Sequence, residues 1–188
     1  MVIIFVDTET GGPEPQKHSL LSIGACVYED DKIEETFHMT IQHDTYRVTV
    51  DAIDCVRYHD DSVDLQYCVE QFRQWLIKVH ARVIKKQLNL RLGGSNPSLV
   101  DAFLRPRLPF WDGVFSKGLI DIRGIATFLC DVGLIDRQST DLSVIAGYFN
   151  LDTSVMMSHT YNALDTAIMA ARVYHEMKMS ACQNAIEV

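Results

Sequence analysis

Cysteine is scarce in this chain of 188 residues, with only Cys26, Cys55, Cys68, Cys130 and Cys182. Their number is odd, they are scattered, and no Cys-x-x-Cys pair occurs. That pattern argues against a zinc site or a disulfide framework and fits a reducing cytoplasm. Long apolar runs are missing as well. None approaches the roughly 20 residues that cross a bilayer, so no membrane partner is expected. The apolar start, Met1 to Val6, has no basic segment before it and meets Asp7 at once, unlike a signal peptide. Repeats, linkers and low-complexity tracts are absent, and residues 1–188 read as a single domain. Gly93-Gly94 lacks the following lysine of a phosphate-binding loop, and no dinucleotide fingerprint occurs.

Positive charge is in deficit, with 17 Lys and Arg against 25 Asp and Glu, a net charge of −8. The deficit is uneven. Residues 1–72 hold four basic and fifteen acidic side chains, residues 73–123 ten and three, and residues 124–188 three and seven. The middle block reads either as a solvated helix face or as a local basic surface for a polyanion. Hydrophobic residues make up 47% and charged residues 22%, ordinary globular usage. Such a chain can bury a core without metals or cross-links, so a bound metal would serve function.

The local pattern alternates strands and helices. Val2 to Val6 is a continuous apolar run, as in a strand covered on both faces. Leu20 to Tyr28 and Ile33 to Gln42 read as two more strands joined by the acidic turn Glu29-Asp30-Asp31-Lys32. A short helix is expected over 51–59. Leu65, Val69, Phe72, Leu76, Val79 and Val83 form one helical stripe. Leu88 to Leu92 and Leu119 to Ile122 complete five strands. Helices are expected over 98–104, 123–132, 142–149 and 161–179. The order predicts a mixed α/β domain.

Three motifs carry chemistry. In Asp7-Thr8-Glu9, side chains two apart on a strand face the same way, so the central strand delivers two carboxylates together at its carboxyl end. Ligands of open α/β sheets bind at such ends. Two like charges held together repel unless protonated or neutralised by a cation, and oxygen ligands suit magnesium or manganese. Asp101, in the run Gly93 to Leu104, is expected in the first turn of a helix, where it would at least complement the helix dipole. In Ser158 to Ala167, Tyr161 and Asp165 are four apart and share one face of the expected helix, with His159 just upstream.

Asp7 to Gly11, Leu21-Ser22-Ile23-Gly24-Ala25, Asn96 through Asp101 and His159 through Asp165 together resemble the DEDD superfamily of 3′–5′ exonucleases. Proofreading domains, oligoribonuclease and ribonuclease T are members. The likeness spans almost the whole chain, in the right order. It implies a ribonuclease H-like fold, with a central five-stranded mixed sheet flanked by helices. It implies two Mg²⁺ or Mn²⁺ ions held by Asp7, Glu9, Asp101 and Asp165, and hydrolysis of single-stranded DNA or RNA from the 3′ end to nucleoside 5′-monophosphates. A neutral imidazole suits the general base, which makes His159 the candidate. The spacing departs from the histidine branch, with five residues rather than four between His159 and Asp165. Tyr161 has the spacing of the tyrosine branch and is the alternative. Thr8, Thr10 and Asn96 are the expected substrate contacts, Asp121 reads as structural, and Phe110, Trp111 and Phe115 are candidates for stacking on bases. Several relatives are dimers, which allows a homodimer. The competing reading is a module of the same fold that binds nucleic-acid ends without cutting them.

Overall fold

The structure, a computed structural model, describes residues 1–55, 61–116, 118–135, 140–158 and 161–184. Its centre is a mixed sheet of six strands: β1 (Val2–Thr10), β2 (Leu20–Glu29), β3 (Lys32–Gln42), β4 (Val63–Asp64), β5 (Leu90–Gly94) and β6 (Leu119–Asp121). They lie in the order β4-β3-β2-β1-β5-β6. The β1–β2 and β2–β3 pairs are antiparallel, while β1–β5, β5–β6 and β3–β4 are parallel. Five strands match the expected set. The sixth, β4, is two residues long and carries no periodicity that a sequence could show; it pairs Val63 and Asp64 with Ile41 and Gln42.

Six helices follow the strands: α1 (Leu65–Lys85), α2 (Pro97–Leu104), α3 (Trp111–Val114), α4 (Ile122–Asp131), α5 (Leu142–Tyr148) and α6 (Ala163–Asn184). The short helix expected over 51–59 is a 3₁₀ turn, Val50–Cys55, and the rest of that span lies outside the described residues. Asp30 and Asp31 both adopt positive φ, 49° and 64°, the backbone of a tight hairpin turn between β2 and β3.

Strand alternation divides the interior into two cores. Val2, Ile4 and Val6 face Phe72, Leu76 and Val79 of α1, Phe103 and Leu104 of α2, and Trp111. Ile3 and Phe5 face the other way, with Ala126 of α4, Ile145 of α5 and Ala170, Ala171 and Val173 of α6. Asp7 and Glu9 continue the Ile3–Phe5 face, so β1 carries them to the side of the sheet that α6 covers. No helix among the described residues is long and apolar enough to cross a membrane.

Part of the basic middle block is paired within the protein. Arg73 pairs with Glu70 at 2.7 Å, Arg82 with Glu35 at 2.9 Å, and Lys86 with the buried Glu29 at 2.7 Å. Arg105 pairs with Asp101 and Asp112. Arg107 donates to the Phe103 carbonyl and lies over the Phe103 ring. These five residues are thus engaged within the protein.

Candidate active site

The site is built where β1 meets the start of α6. Gly24 of β2 lies opposite Asp7 in the antiparallel register. A Cβ at Gly24 would fall 2.1 Å from the Leu164 nitrogen and 2.2 Å from the Ala163 carbonyl carbon. Only glycine lets the first turn of α6 lie this close to the sheet beside Asp7.

α6 begins at Ala163, two residues later than the periodicity suggests, because Asn162 caps it. The Asn162 side-chain oxygen accepts from the Leu164 and Asp165 backbone N–H groups at 2.8 and 3.3 Å, and Asp165 Oδ2 accepts from the Asn162 N–H at 3.0 Å. This reciprocal arrangement is a capping box. Tyr161 therefore precedes the helix and does not share a helical face with Asp165, as its spacing suggested. It still reaches the site: its hydroxyl lies 2.5 Å from Thr166 Oγ1, and Thr166 in turn hydrogen-bonds Asp7.

Electrostatics mark Asp7 as the unusual group. It is half-buried beside Glu9. Burial first, and the charge of Glu9 second, push its carboxyl from 3.8 up to about 8, while Thr166, the Thr8 backbone and Arg123 oppose that rise. Burial, ahead of the negative charges of Asp7, Glu9 and Asp165, likewise pushes the Tyr161 phenol up to about 12, against its bond to Thr166. Tyr161 thus keeps its proton at neutral pH.

Asp101 occupies different surroundings. It falls in the second turn of α2, not the first, because Pro97 opens the helix after the Asn96 cap. The dipole reading of Asp101 is thereby replaced by a side-chain network. Arg105 grips it with two bonds, Nε to Oδ2 at 3.0 Å and Nη2 to Oδ1 at 2.8 Å. Trp111 Nε1 donates to Oδ1 at 2.7 Å. Three of about four lone-pair sites on the carboxylate are then engaged, leaving one on Oδ2.

The expected substrate contacts sit as follows. Thr8 is buried on the opposite face of β1 from Asp7, and its Oγ1 has no hydrogen-bond partner among the described residues. Thr10 donates to the Gly12 carbonyl at 3.0 Å. Asn96 is exposed and caps α2, accepting from the Leu99 N–H. His159 lies outside the described residues. Asp121 caps α4 through the Arg123 and Gly124 N–H groups, the structural role read for it. Trp111 is 2% exposed and stacks edge-on against Phe115, so its ring belongs to the core and is not open to a base.

Sequence reasoning missed Thr166, Arg105 and Arg123 as parts of this neighbourhood, and it read Trp111 as a base-stacking candidate rather than as a partner of Asp101. The Asp101–Arg105 spacing of four was a legible helix pair. Trp111 reaches Asp101 from the next helix, beyond the turn that ends α2, and only the fold reveals it.

The residues fit a divalent cation unevenly. Asp7 and Glu9 fit well, because a pair of mutually repelling, half-buried carboxylates gains most from a positive ion. Among the described residues no three His, Cys, Asp or Glu side chains stand gathered as a metal cage. Asp101 faces its own cation, Arg105, and Asp165 serves the capping box.

Comparison with known proteins agrees with the architecture. No family model matches the chain. A curated relative, the 3′-5′ DNA exonuclease Cap18 of Escherichia coli, is 29% identical over 129 residues, 66% of this chain and 67% of that protein. Exonuclease I of E. coli in complex with a dT13 oligonucleotide matches over 99% of this chain with a TM-score of 0.70 and 11% identity. Its zinc-bound form in complex with single-stranded DNA matches over 95% with a TM-score of 0.69 and 12% identity. This chain spans only 43% and 40% of those two structures. The six-stranded mixed sheet and its flanking helices are therefore the ribonuclease H-like fold of these exonucleases.

Proposed function

We propose that this chain is a divalent-metal-dependent 3′–5′ exonuclease that releases nucleoside 5′-monophosphates from the 3′ end of single-stranded DNA. The observation that carries the reading is the Asp7–Glu9 pair, held half-buried against the start of α6, with the Asp7 carboxyl lifted out of the ordinary carboxylate range. The similarity to a 3′-5′ DNA exonuclease, and to exonuclease structures bound to DNA oligonucleotides, supports DNA over RNA as the substrate.

Asp7 and Glu9 would hold the first of two cations, magnesium or manganese, with Asp165 beside them. Asp101 would join through the lone pair left on Oδ2, while Arg105 and Trp111 fix its orientation. Such ions supply positive charge at the phosphate and lower the pKa of the attacking water. His159 would be the residue to take that water's proton, since an imidazole near its ordinary pKa suits a general base. Tyr161, protonated and hydrogen-bonded to Thr166, steadies Asp7 through that hydroxyl. The free thiols of Cys26, Cys68, Cys130 and Cys182 support the cytoplasmic placement.

A second reading draws on the Arg105–Asp101 pair: a protein that neutralises its own third carboxylate binds strand ends without cutting them. A time course on 5′-labelled single-stranded DNA and RNA, with magnesium, manganese or chelator, separates the two. The exonuclease gives a metal-dependent ladder shortening from the 3′ end, faster on DNA. His159→Ala abolishes the ladder and Tyr161→Phe weakens it only a few-fold. Tight binding with no shortening under either metal supports the binding module instead.

A further inference from the structure

We propose that Arg123 is a substrate-binding residue of this site, its guanidinium holding a phosphate of the bound strand beside Asp7 and Glu9. The inference rests on the exonuclease reading and adds to it a residue that the four-motif pattern does not contain.

The placement follows from the sheet. β1, β5 and β6 run parallel, so their carboxyl ends share one edge. Gly94, the last residue of β5, pairs with Asp121, the last of β6. A Cβ on Gly94 would lie 2.8 Å from the carbonyl oxygen of Val6, the residue before Asp7. Ser95 and Arg123 thus emerge side by side from this edge, next to the carboxylate pair. Arg123 Nε donates to Ser95 Oγ at 3.3 Å, which anchors the side chain there.

The charge around Arg123 is the second observation. Among the described residues, Arg105 is held by two carboxylates, Asp101 and Asp112, and Arg82 by Glu35. Arg123 is exposed, and the one hydrogen bond that its side chain makes among the described residues goes to a neutral hydroxyl. Its guanidinium lies within electrostatic reach of Asp7. It also occupies the first turn of α4, where the helix dipole disfavours a cation. A cation in an unfavourable place, tethered by a neutral group and left without a carboxylate partner, suits an anion that arrives from outside. Asp7 and Glu9 repel a phosphodiester, and a guanidinium at their side counters that repulsion with charge-assisted bonds.

The test measures binding of a 5′-labelled single-stranded dT oligomer by fluorescence anisotropy, with calcium present, over a series of salt concentrations. It compares wild type, Arg123→Gln, Arg123→Lys and Ser95→Ala, alongside melting temperatures and the cleavage time course in magnesium. Arg123→Gln is expected to weaken binding roughly tenfold. It should also lower the slope of log affinity against log salt by about 0.7, the signature of one lost phosphate contact on a single strand. Arg123→Lys should keep most of the slope, and Ser95→Ala all of it. An unchanged slope in Arg123→Gln would overturn the proposal. So would equal losses of binding and melting temperature in Arg123→Gln and Ser95→Ala, since a tether between α4 and the β5 end would explain both. Wild type that binds the strand but never shortens it defeats the exonuclease reading alone, because the slope difference still reports on Arg123.

Discussion

The two halves of the site treat their carboxylates in opposite ways. On the β1–α6 side, Asp7 sits half-buried beside Glu9, eased only in part by the Thr166 hydroxyl, the Thr8 backbone and the charge of Arg123. On the α2 side, Asp101 is clasped by Arg105 and bonded by Trp111. Asp7 stays lifted far above the carboxylate range despite those contacts, whereas Asp101 is paired within the protein. Negative charge at a sheet edge is therefore not enough to mark a cation site. What marks it is a carboxylate that burial and a neighbouring like charge force to keep its proton.

Breaking the first half should have the largest effect. Asp7→Asn is expected to lower the cleavage rate by roughly a thousandfold or more, as loss of a group that organises transition-state charge does. The same change should stabilise the metal-free protein at alkaline pH. Folded Asp7 holds its proton up to about pH 8, whereas an unfolded aspartate releases it near 3.8. The fold therefore gains from that bound proton at low pH and loses the gain as pH rises through 8. Melting of the metal-free wild type should fall between pH 5 and 9 by on the order of 2 kcal/mol, and Asp7→Asn should flatten that fall.

Gly24→Ala attacks the same half through packing. The added methyl has no room against the α6 backbone, so α6 must move away from Asp7. A loss of about 3 kcal/mol in urea unfolding is expected, together with weaker cation binding. Stability equal to wild type would show that α6 does not depend on this close approach.

On the α2 side, Arg105→Ala should cost less. Asp101 keeps its Trp111 bond but loses its orientation, and a change in an outer-shell partner typically costs about 10–100-fold in activity. If activity instead rises, Arg105 competes with the cation for Asp101 rather than orienting it. Tyr161→Phe is the mildest change. It removes one hydrogen bond to Thr166, worth about 1 kcal/mol, and is read as a few-fold drop in rate with no shift in the pH profile between 6 and 9.

Much of the β1–α6 half was legible in the sequence. An apolar strand running into Asp7-Thr8-Glu9 dictates two carboxylates on one face, and Gly24 in a hydrophobic strand signals close approach. The start of α6 was misplaced, although Asn162 and Asp165 carry the spacing of a capping box. Apolar periodicity extended the helix backwards and hid the cap. The other half was hardly legible. Trp111 and Asp101 meet through tertiary packing, and the basic block looked like a surface until its partners, Glu29 and Glu35 among them, appeared on neighbouring strands. Sequence runs report charge; only the fold reports whether that charge is spent.

The central claim is that Asp7 and Glu9 form a cation site that the protein leaves for a metal to complete. Titrating manganese into the metal-free protein by calorimetry at pH 6.5, 7.5 and 8.5, for wild type and Asp7→Asn, tests it directly. The account requires binding to wild type that tightens as pH rises and Asp7 gives up its proton, and loss of that binding in Asp7→Asn. Equal binding by both proteins, or none by wild type at any pH, would contradict it.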